Sequence, residues 1–337
     1  MDLGLKDKVA LVTGASRGIG KRIALALAAE GAKLCICGRT EEPLKEARAE
    51  IEALGAAAEV AVQDVTTPEG AEAVVAVARE RFGGVDILIN NVGGSKWTPF
   101  VEIADQEWDD IINLSFLSAV RVTRAAIPSM EQRGGGSVIN ISSIFGRESG
   151  GPVSYNASKA AADMAVKTFH LTYDLPVTVS TCSNNYGAYQ FPEKVIPLFT
   201  VLVLQGEKMT LYKSSKNKRE WLHVDDHCRA IDLILKNGKL GEIYNIGSGL
   251  EVDVEGIADG ILDVLGLDDS YKTYVPDRPS HDRRYLLDSS KIRKELGWSP
   301  EVGWEEGFQM TVNWYKENKA WWHPLLERSQ VDEGKWR

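Results

Sequence analysis

Tyr155 and Lys159 stand four residues apart in the stretch Tyr155-Asn-Ala-Ser-Lys159. On a helix that spacing brings the phenol and the ammonium to one face. A free tyrosine hydroxyl has a pKa of about 10, too high for easy proton exchange at neutral pH. A cation one turn away favours the phenolate and brings the group toward acid–base work on an alcohol or a carbonyl. The spacing is common in helices, and it gains weight from what stands before it.

A glycine pattern, Gly14-x-x-x-Gly18-x-Gly20, follows the apolar run 8–13, KVALVT. Between a strand and a helix, such glycines let the backbone approach a pyrophosphate at the positive end of the helix. Gly14, Ser16, Arg17, Gly18, Ile19 and Gly20 are the expected cradle. An acidic residue closing the second strand would bond a ribose 2′-hydroxyl. Here that place reads Gly38-Arg39-Thr40, and Arg17 lies within reach of it. Two guanidinium groups suit a 2′-phosphate, so NADP is expected over NAD.

Alternating elements must position these groups. Short apolar strands at 8–13, 33–38, 58–65, near 86–91, at 136–143 and at 177–183 alternate with helices at about 41–54, 68–82, 105–132 and 155–173. That alternation predicts an α/β fold with a doubly wound parallel sheet. After Ser183 the regular alternation stops, and 242–248 reads as a strand returning to the main sheet. The expected division is a dinucleotide-binding domain of 1–183 plus about 222–248. A small substrate lobe takes about 184–221 and 249–337.

With 39 basic and 48 acidic residues the net charge is −9, and the pI is near 5.3. This argues against nucleic acid or an anionic membrane as partner and leaves a small-molecule substrate. No apolar run approaches the roughly 20 residues of a membrane span. The N-terminal residues do not have a signal-peptide layout. Cys35 and Cys37 alternate along a strand, as buried small hydrophobes would, and the four cysteines fit a reducing cytoplasm.

The stretch TGASRGIG, with Asp64 after the third strand and Asn90–Gly93 ending the fourth, resembles the short-chain dehydrogenase/reductase superfamily. Over about 5–162 the wording is that of its single-domain reductases. The resemblance implies that Asp64 and Val65 hold the adenine and Asn90 the ribose. It implies that Tyr155 exchanges the proton, Lys159 supports it and also holds the ribose, and a serine closing the fifth strand polarises the reacting oxygen. Ser143 is favoured for that serine, and Ser142 stays open. Asn113, in DDIINLS, matches the asparagine that orders a water beside the lysine.

From 155 to about 328 the chain also resembles dTDP-glucose 4,6-dehydratases of the extended branch, through SNNYG, PEKVIP, KREW and RPSHDRR. That resemblance implies a dTDP-sugar or similar ligand near Asn184, Asn185, Glu193, Lys194, Tyr212, Arg219, Arg278 and His281. It also implies a Rossmann-like extended fold and a homodimer. The departures are specific. Ile144 and Phe145 stand where those enzymes carry an Asp-Glu pair for elimination. GSKWTPF replaces their sugar-binding stretch, and Leu250 replaces an asparagine. The sequence reads as a recombinant or designed chimera, with a natural hybrid as the alternative. The expected function is an NADP-dependent oxidoreductase. The alternatives are an inert chimera that binds NADP, and a dTDP-glucose 4,6-dehydratase.

Overall fold

The computed structural model describes residues 4–96, 98–143, 152–213, 216–276 and 284–326. The chain divides into two units. One comprises Met1–Cys182, Cys228–Ile246 and Ser289–Trp298; the other comprises Ser183–His227, Gly247–Asp288 and Ser299–Arg337.

The first unit holds strands β1 (Val9–Thr13), β2 (Lys33–Gly38), β3 (Ala58–Val62), β4 (Ile87–Asn90), β5 (Ser137–Ser143) and β6 (Val177–Cys182). Its helices α1 (Gly18–Ala29), α2 (Glu41–Ala53), α3 (Pro68–Phe82), α4 (Asp105–Ile112), α5 (Ser118–Gln132) and α6 (Val153–Tyr173) alternate with them. Strands β7 (Asn184–Tyr186), β8 (Met209–Tyr212) and β9 (Lys218–His223) and helix α7 (Val195–Leu204) follow. Helix α8 (Val224–Asn237) then leads to β10 (Ile243–Ile246).

Seven strands make one sheet in the order β10-β6-β5-β4-β1-β2-β3. Every neighbouring pair in it is parallel. This is the doubly wound sheet that the alternation predicts, and the strand order reverses between β1 and β4, where such folds place their ligands. The strands are buried because helices cover both faces. Leu11, Cys35, Val74, Leu88, Val138 and Val179 share one core cluster. Cys35 and Cys37 are free and buried in it, as are Cys182 and Cys228 elsewhere. Asp86, just before β4, ties this sheet together. Its carboxylate accepts the Val9 amide at 2.8 Å and both arms of Arg133 at 2.8 and 2.7 Å.

The expected helix over 105–132 is interrupted. Between α4 and α5 the chain makes one π-helical turn, Asn113–Leu117. A π-turn widens the helix and turns side chains off the 3.6-residue register.

The second unit contains β7, β8, β9, β11 (Glu251–Asp253), β12 (Lys272–Val275) and β13 (Arg284–Tyr285), with α7, α9 (Val254–Leu265), α11 (Trp304–Glu317) and α12 (Lys319–Leu326). Helix α10 (Ser290–Leu296) belongs to the first unit. Strand β9 pairs with β7, β11 and β13, and β8 pairs with β12. Tyr186, Phe199, Trp221, Ile257 and Phe308 form its core. Glu220 on β9 is 0% exposed. It accepts the amides of Gly249 at 2.7 Å and Leu287 at 3.0 Å, which satisfies a charge that burial alone would exclude. No helix among the described residues is long and apolar enough to cross a membrane.

Candidate active site

The glycine loop follows β1 and feeds α1, whose first amides point back toward it. Gly14 and Gly18 have φ of +65° and +57°, backbone states that side chains rarely adopt. Gly20 is required for a different reason. A Cβ there would lie 2.5 Å from the Gly14 carbonyl oxygen and 2.5 Å from Asn91 Nδ2. Asn91 Nδ2 in turn donates to the carbonyls of Thr13 and Gly14, each at 3.2 Å. Asn91 therefore fixes the loop, a role that its neighbour Asn90 masked in the sequence. Arg17 forms the exposed N-cap of α1, with Ser16 and Ile19 beside it, and Arg39 is exposed at the end of β2.

Two of the residues expected at the dinucleotide also have partners within the protein. Asn90 is buried, and its Nδ2 donates to Thr123 Oγ1 at 2.9 Å and Asn140 Oδ1 at 2.8 Å. That amide ties β4 to its neighbours. Asp64 caps its own turn, accepting the Thr66 amide at 3.0 Å and the Thr66 hydroxyl at 2.7 Å. Burial pushes its carboxyl up, but the Thr66 bonds and the Arg39 charge outweigh that and hold it below the ordinary range. Val65 is buried behind it.

Strand β5 and helix α6 deliver the reacting groups. Alternation along a strand turns neighbouring side chains to opposite faces. Ser143 accordingly hydrogen-bonds the Tyr155 phenol, while the buried Ser142 hydroxyl has no partner among the described residues. The electrostatics differ from expectation. Burial pushes the Tyr155 phenol up to about 12, against the Ser143 bond that lowers it. Lys159 Nζ lies 5.7 Å from the Tyr155 ring centroid and donates to the Ile141 carbonyl at 3.1 Å. Burial holds that ammonium below its ordinary value, with the Asp163 charge opposing. Burial is the largest cause of the shift in both groups.

Asn113 opens the π-turn, and its Oδ1 accepts Arg121 at 2.6 Å. Ser115, two residues on, was not singled out in the sequence. It is 2% exposed, and its Oγ meets both the amide and the carbonyl of Gly94, at 3.4 and 3.3 Å.

In the second unit the amides of SNNYG serve the backbone. Asn184 Nδ2 donates to the Glu220 carbonyl at 3.0 Å. Asn185 Nδ2 donates to the Ser183 carbonyl at 3.0 Å. Its Oδ1 lies 3.0 Å from His227 Nδ1. Burial pushes His227 down to about 4, so the ring is neutral at pH 7. Its Nδ1 must carry the proton that the acceptor-only Oδ1 receives. Glu193 and Lys194 pair with each other at 3.0 Å on the surface. Tyr212 closes β8, half-buried, and Arg219 lies on β9 with its guanidinium donating to the Lys218 carbonyl at 2.9 Å. Arg284 grips Glu251 through two bonds of 2.6 and 2.7 Å, as a surface ion pair would. Arg278 and His281, with Ile144 and Phe145, lie outside the described residues. Among the described residues no cluster of His, Cys, Asp and Glu could hold a metal.

A parallel doubly wound sheet, a glycine cradle after its first strand and a serine–tyrosine–lysine site define a Rossmann-type α/β enzyme fold. The family profile of the short chain dehydrogenases matches residues 8–185, and that of GDP-mannose 4,6 dehydratase matches 151–311. The chain belongs to the short-chain dehydrogenase family, with a dehydratase-like region from the Tyr155 helix onward. A dTDP-glucose 4,6-dehydratase of Streptomyces niveus is 50% identical over 171 residues, 51% of this chain and 51% of the relative. This chain matches about half the length of such curated relatives. The structure of DesIV, a dTDP-glucose 4,6-dehydratase from Streptomyces venezuelae with NAD and TYD bound, superimposes with a TM-score of 0.78. That comparison has 33% identity and covers 94% of this chain and 99% of the other. A Bacillus anthracis dTDP-glucose 4,6-dehydratase in complex with NAD gives a TM-score of 0.76 at 29% identity, with 94% and 99% covered. These relatives back the dehydratase alternative better than the plain reductase reading of the first half.

Proposed function

We propose that this chain is a nicotinamide-dependent oxidoreductase acting on a hydroxyl of a nucleotide-diphosphate hexose, with dTDP as the nucleotide. The Ser143–Tyr155 hydrogen bond carries the reading. It sets a hydroxyl pair where an alcohol oxygen would sit. A nicotinamide dinucleotide held by the Gly14–Gly20 loop would supply the hydride acceptor; Tyr155 as the phenolate takes the hydroxyl proton, and Ser143 holds the substrate oxygen. Lys159 supports Tyr155 and the ribose. The exposed guanidinium groups of Arg17 and Arg39 favour NADP, although the dehydratase relatives are described with NAD.

The relatives' names favour a second reading, full 4,6-dehydration. A hydrogen on carbon 5 becomes acidic only beside a carbonyl at carbon 4, so that reaction begins with the same oxidation. Its elimination then needs an acid and a base, where this sequence has Ile144 and Phe145. We expect oxidation to stop at the ketone. The overlap of the two family matches, 151–185, contains the Tyr155 helix and supports a hybrid origin. Met164 and Leu171, 65% and 83% exposed and one heptad apart on α6, support a homodimer. The acidic charge and four free, buried cysteines fit a cytoplasmic protein.

The test is incubation with dTDP-glucose and either NAD or NADP. Net reduced cofactor without a 4-keto-6-deoxy sugar supports the oxidoreductase. The 4-keto-6-deoxy product without net reduced cofactor establishes the dehydratase. Neither product, with cofactor still bound, leaves an inert binding protein.

A further inference from the structure

We infer that Ser115 is a positioning residue for Lys159, acting through the Gly93–Gly94 segment, and that it holds the place beside the lysine that the sequence assigns to Asn113. This rests on the proposed redox role of Tyr155 and Lys159. Three observations carry it. A Cβ built on Gly93 would stand 3.1 Å from Lys159 Nζ and 3.7 Å from Ser115 Oγ, so ammonium and hydroxyl flank one α-carbon. The Ser115 hydroxyl meets Gly94 on both its amide and carbonyl sides, at 3.4 and 3.3 Å, and so fixes the chain that covers Lys159. Asn113, by contrast, directs its Oδ1 to Arg121 on α5 at 2.6 Å. The π-turn explains the exchange. By widening the helix between Asn113 and Leu117 it shifts which side chain faces α6, and the buried one of the turn is Ser115.

The chemistry follows from packing. Among the described residues Lys159 Nζ hydrogen-bonds the Ile141 carbonyl, and Gly93 closes over it. With the Ser115 hydroxyl removed, Gly93–Gly94 loosens and water reaches the ammonium. Rehydration raises the lysine toward its ordinary pKa, and a fuller positive charge beside a wetter Tyr155 lowers the phenol. The site gains an easier proton transfer and loses its geometry.

The test compares parent, Ser115→Ala, Ser115→Thr and Asn113→Ala. First, amines are acylated briefly with acetic anhydride and Lys159 is followed by peptide mass spectrometry, a readout independent of turnover. At pH about 11, where the amine is mostly unprotonated in every variant and access alone sets the rate, Lys159 should react about 10-fold faster in Ser115→Ala and return toward the parent rate in Ser115→Thr, with the melting temperature checking that each variant is folded. Second, with a working alcohol, kcat should fall about 10-fold in Ser115→Ala with KM little changed, from a misplaced lysine. The midpoint of the rise in oxidation rate with pH should move to lower pH. Equal Lys159 acylation in parent and folded Ser115→Ala would overturn the inference. So would an Asn113→Ala variant that exposes Lys159 as much. If the parent oxidises nothing while the acylation contrast persists, the functional reading fails and the placement of Ser115 stands.

Discussion

Ser143, the last residue of β5, hydrogen-bonds the phenol of Tyr155, the third residue of α6. With the bond from Lys159 to the Ile141 carbonyl, that contact joins strand to helix where chemistry is expected. Tyr155→Phe keeps the ring and removes the proton. Turnover should fall by about 100-fold or more, the size expected for losing a general acid–base group. NADPH affinity, read from its fluorescence, should stay within about threefold, since the ring still packs.

The pH dependence of the parent follows from the same burial. Tyr155 sits at about 12, so it is protonated at neutral pH. Alcohol oxidation needs the phenolate and should climb steadily with pH between about 6 and 10. Carbonyl reduction needs the protonated form and should stay flat in that window. Initial-rate profiles in both directions check this, and a plateau in oxidation near neutrality would mean that bound cofactor resets the phenol.

Arg39→Asp tests the choice of cofactor. A charge-assisted contact to a 2′-phosphate contributes roughly 1.5–3 kcal/mol. The parent should bind NADPH more tightly than NADH, and the variant should reverse the order. Equal affinities in the parent, by titration, would remove the argument from Arg39.

Arg219→Ala addresses the second unit alone. Its guanidinium is the residue there best suited to a pyrophosphate. Titrated dTDP should raise the parent melting temperature, and the variant should lose most of that rise. No shift in the parent at millimolar dTDP would mean that this unit keeps its fold and not its ligand.

Gly247→Ala is a purely structural test. The new methyl carbon would lie 2.4 Å from Glu220 Oε1, inside a carboxylate that is wholly buried and held by two amides. Overpacking at such a place costs about 1–3 kcal/mol. Urea unfolding should show it, with little change in dinucleotide binding.

The sheet was legible because its strands are buried on both faces and read as apolar runs between helices, from Val9–Thr13 to Ile243–Ile246. The glycine cradle was legible because only glycine tolerates the backbone at Gly14 and the close approach at Gly20. Hydrogen-bond partners were not. Asn90 and Asn91 are neighbours of one type, and only the fold gives Asn91 to the loop and Asn90 to Thr123 and Asn140. The backbone partners of the Asn184 and Asn185 amides have no mark in the sequence either. A π-turn changes register without a marker in the residues, which is why Asn113 stood out in the sequence and Ser115 did not.

The order of the sheet bears on how the protein is made. Strand β10 pairs with β6 from 61 residues farther along the chain, Ile243 against Val179 through Ile246 against Cys182. Translation at roughly 5–20 residues per second leaves about 3–12 seconds between them. For that interval β6, every residue of which ends up buried, stands at an open edge with its amides and carbonyls unpaired. The nascent chain is therefore most exposed to sticking to its neighbours after its reacting groups have been synthesised and before its sheet is closed. Fragments ending between 183 and 242 should be captured by chaperones or aggregate, while the chain that reaches β10 should not.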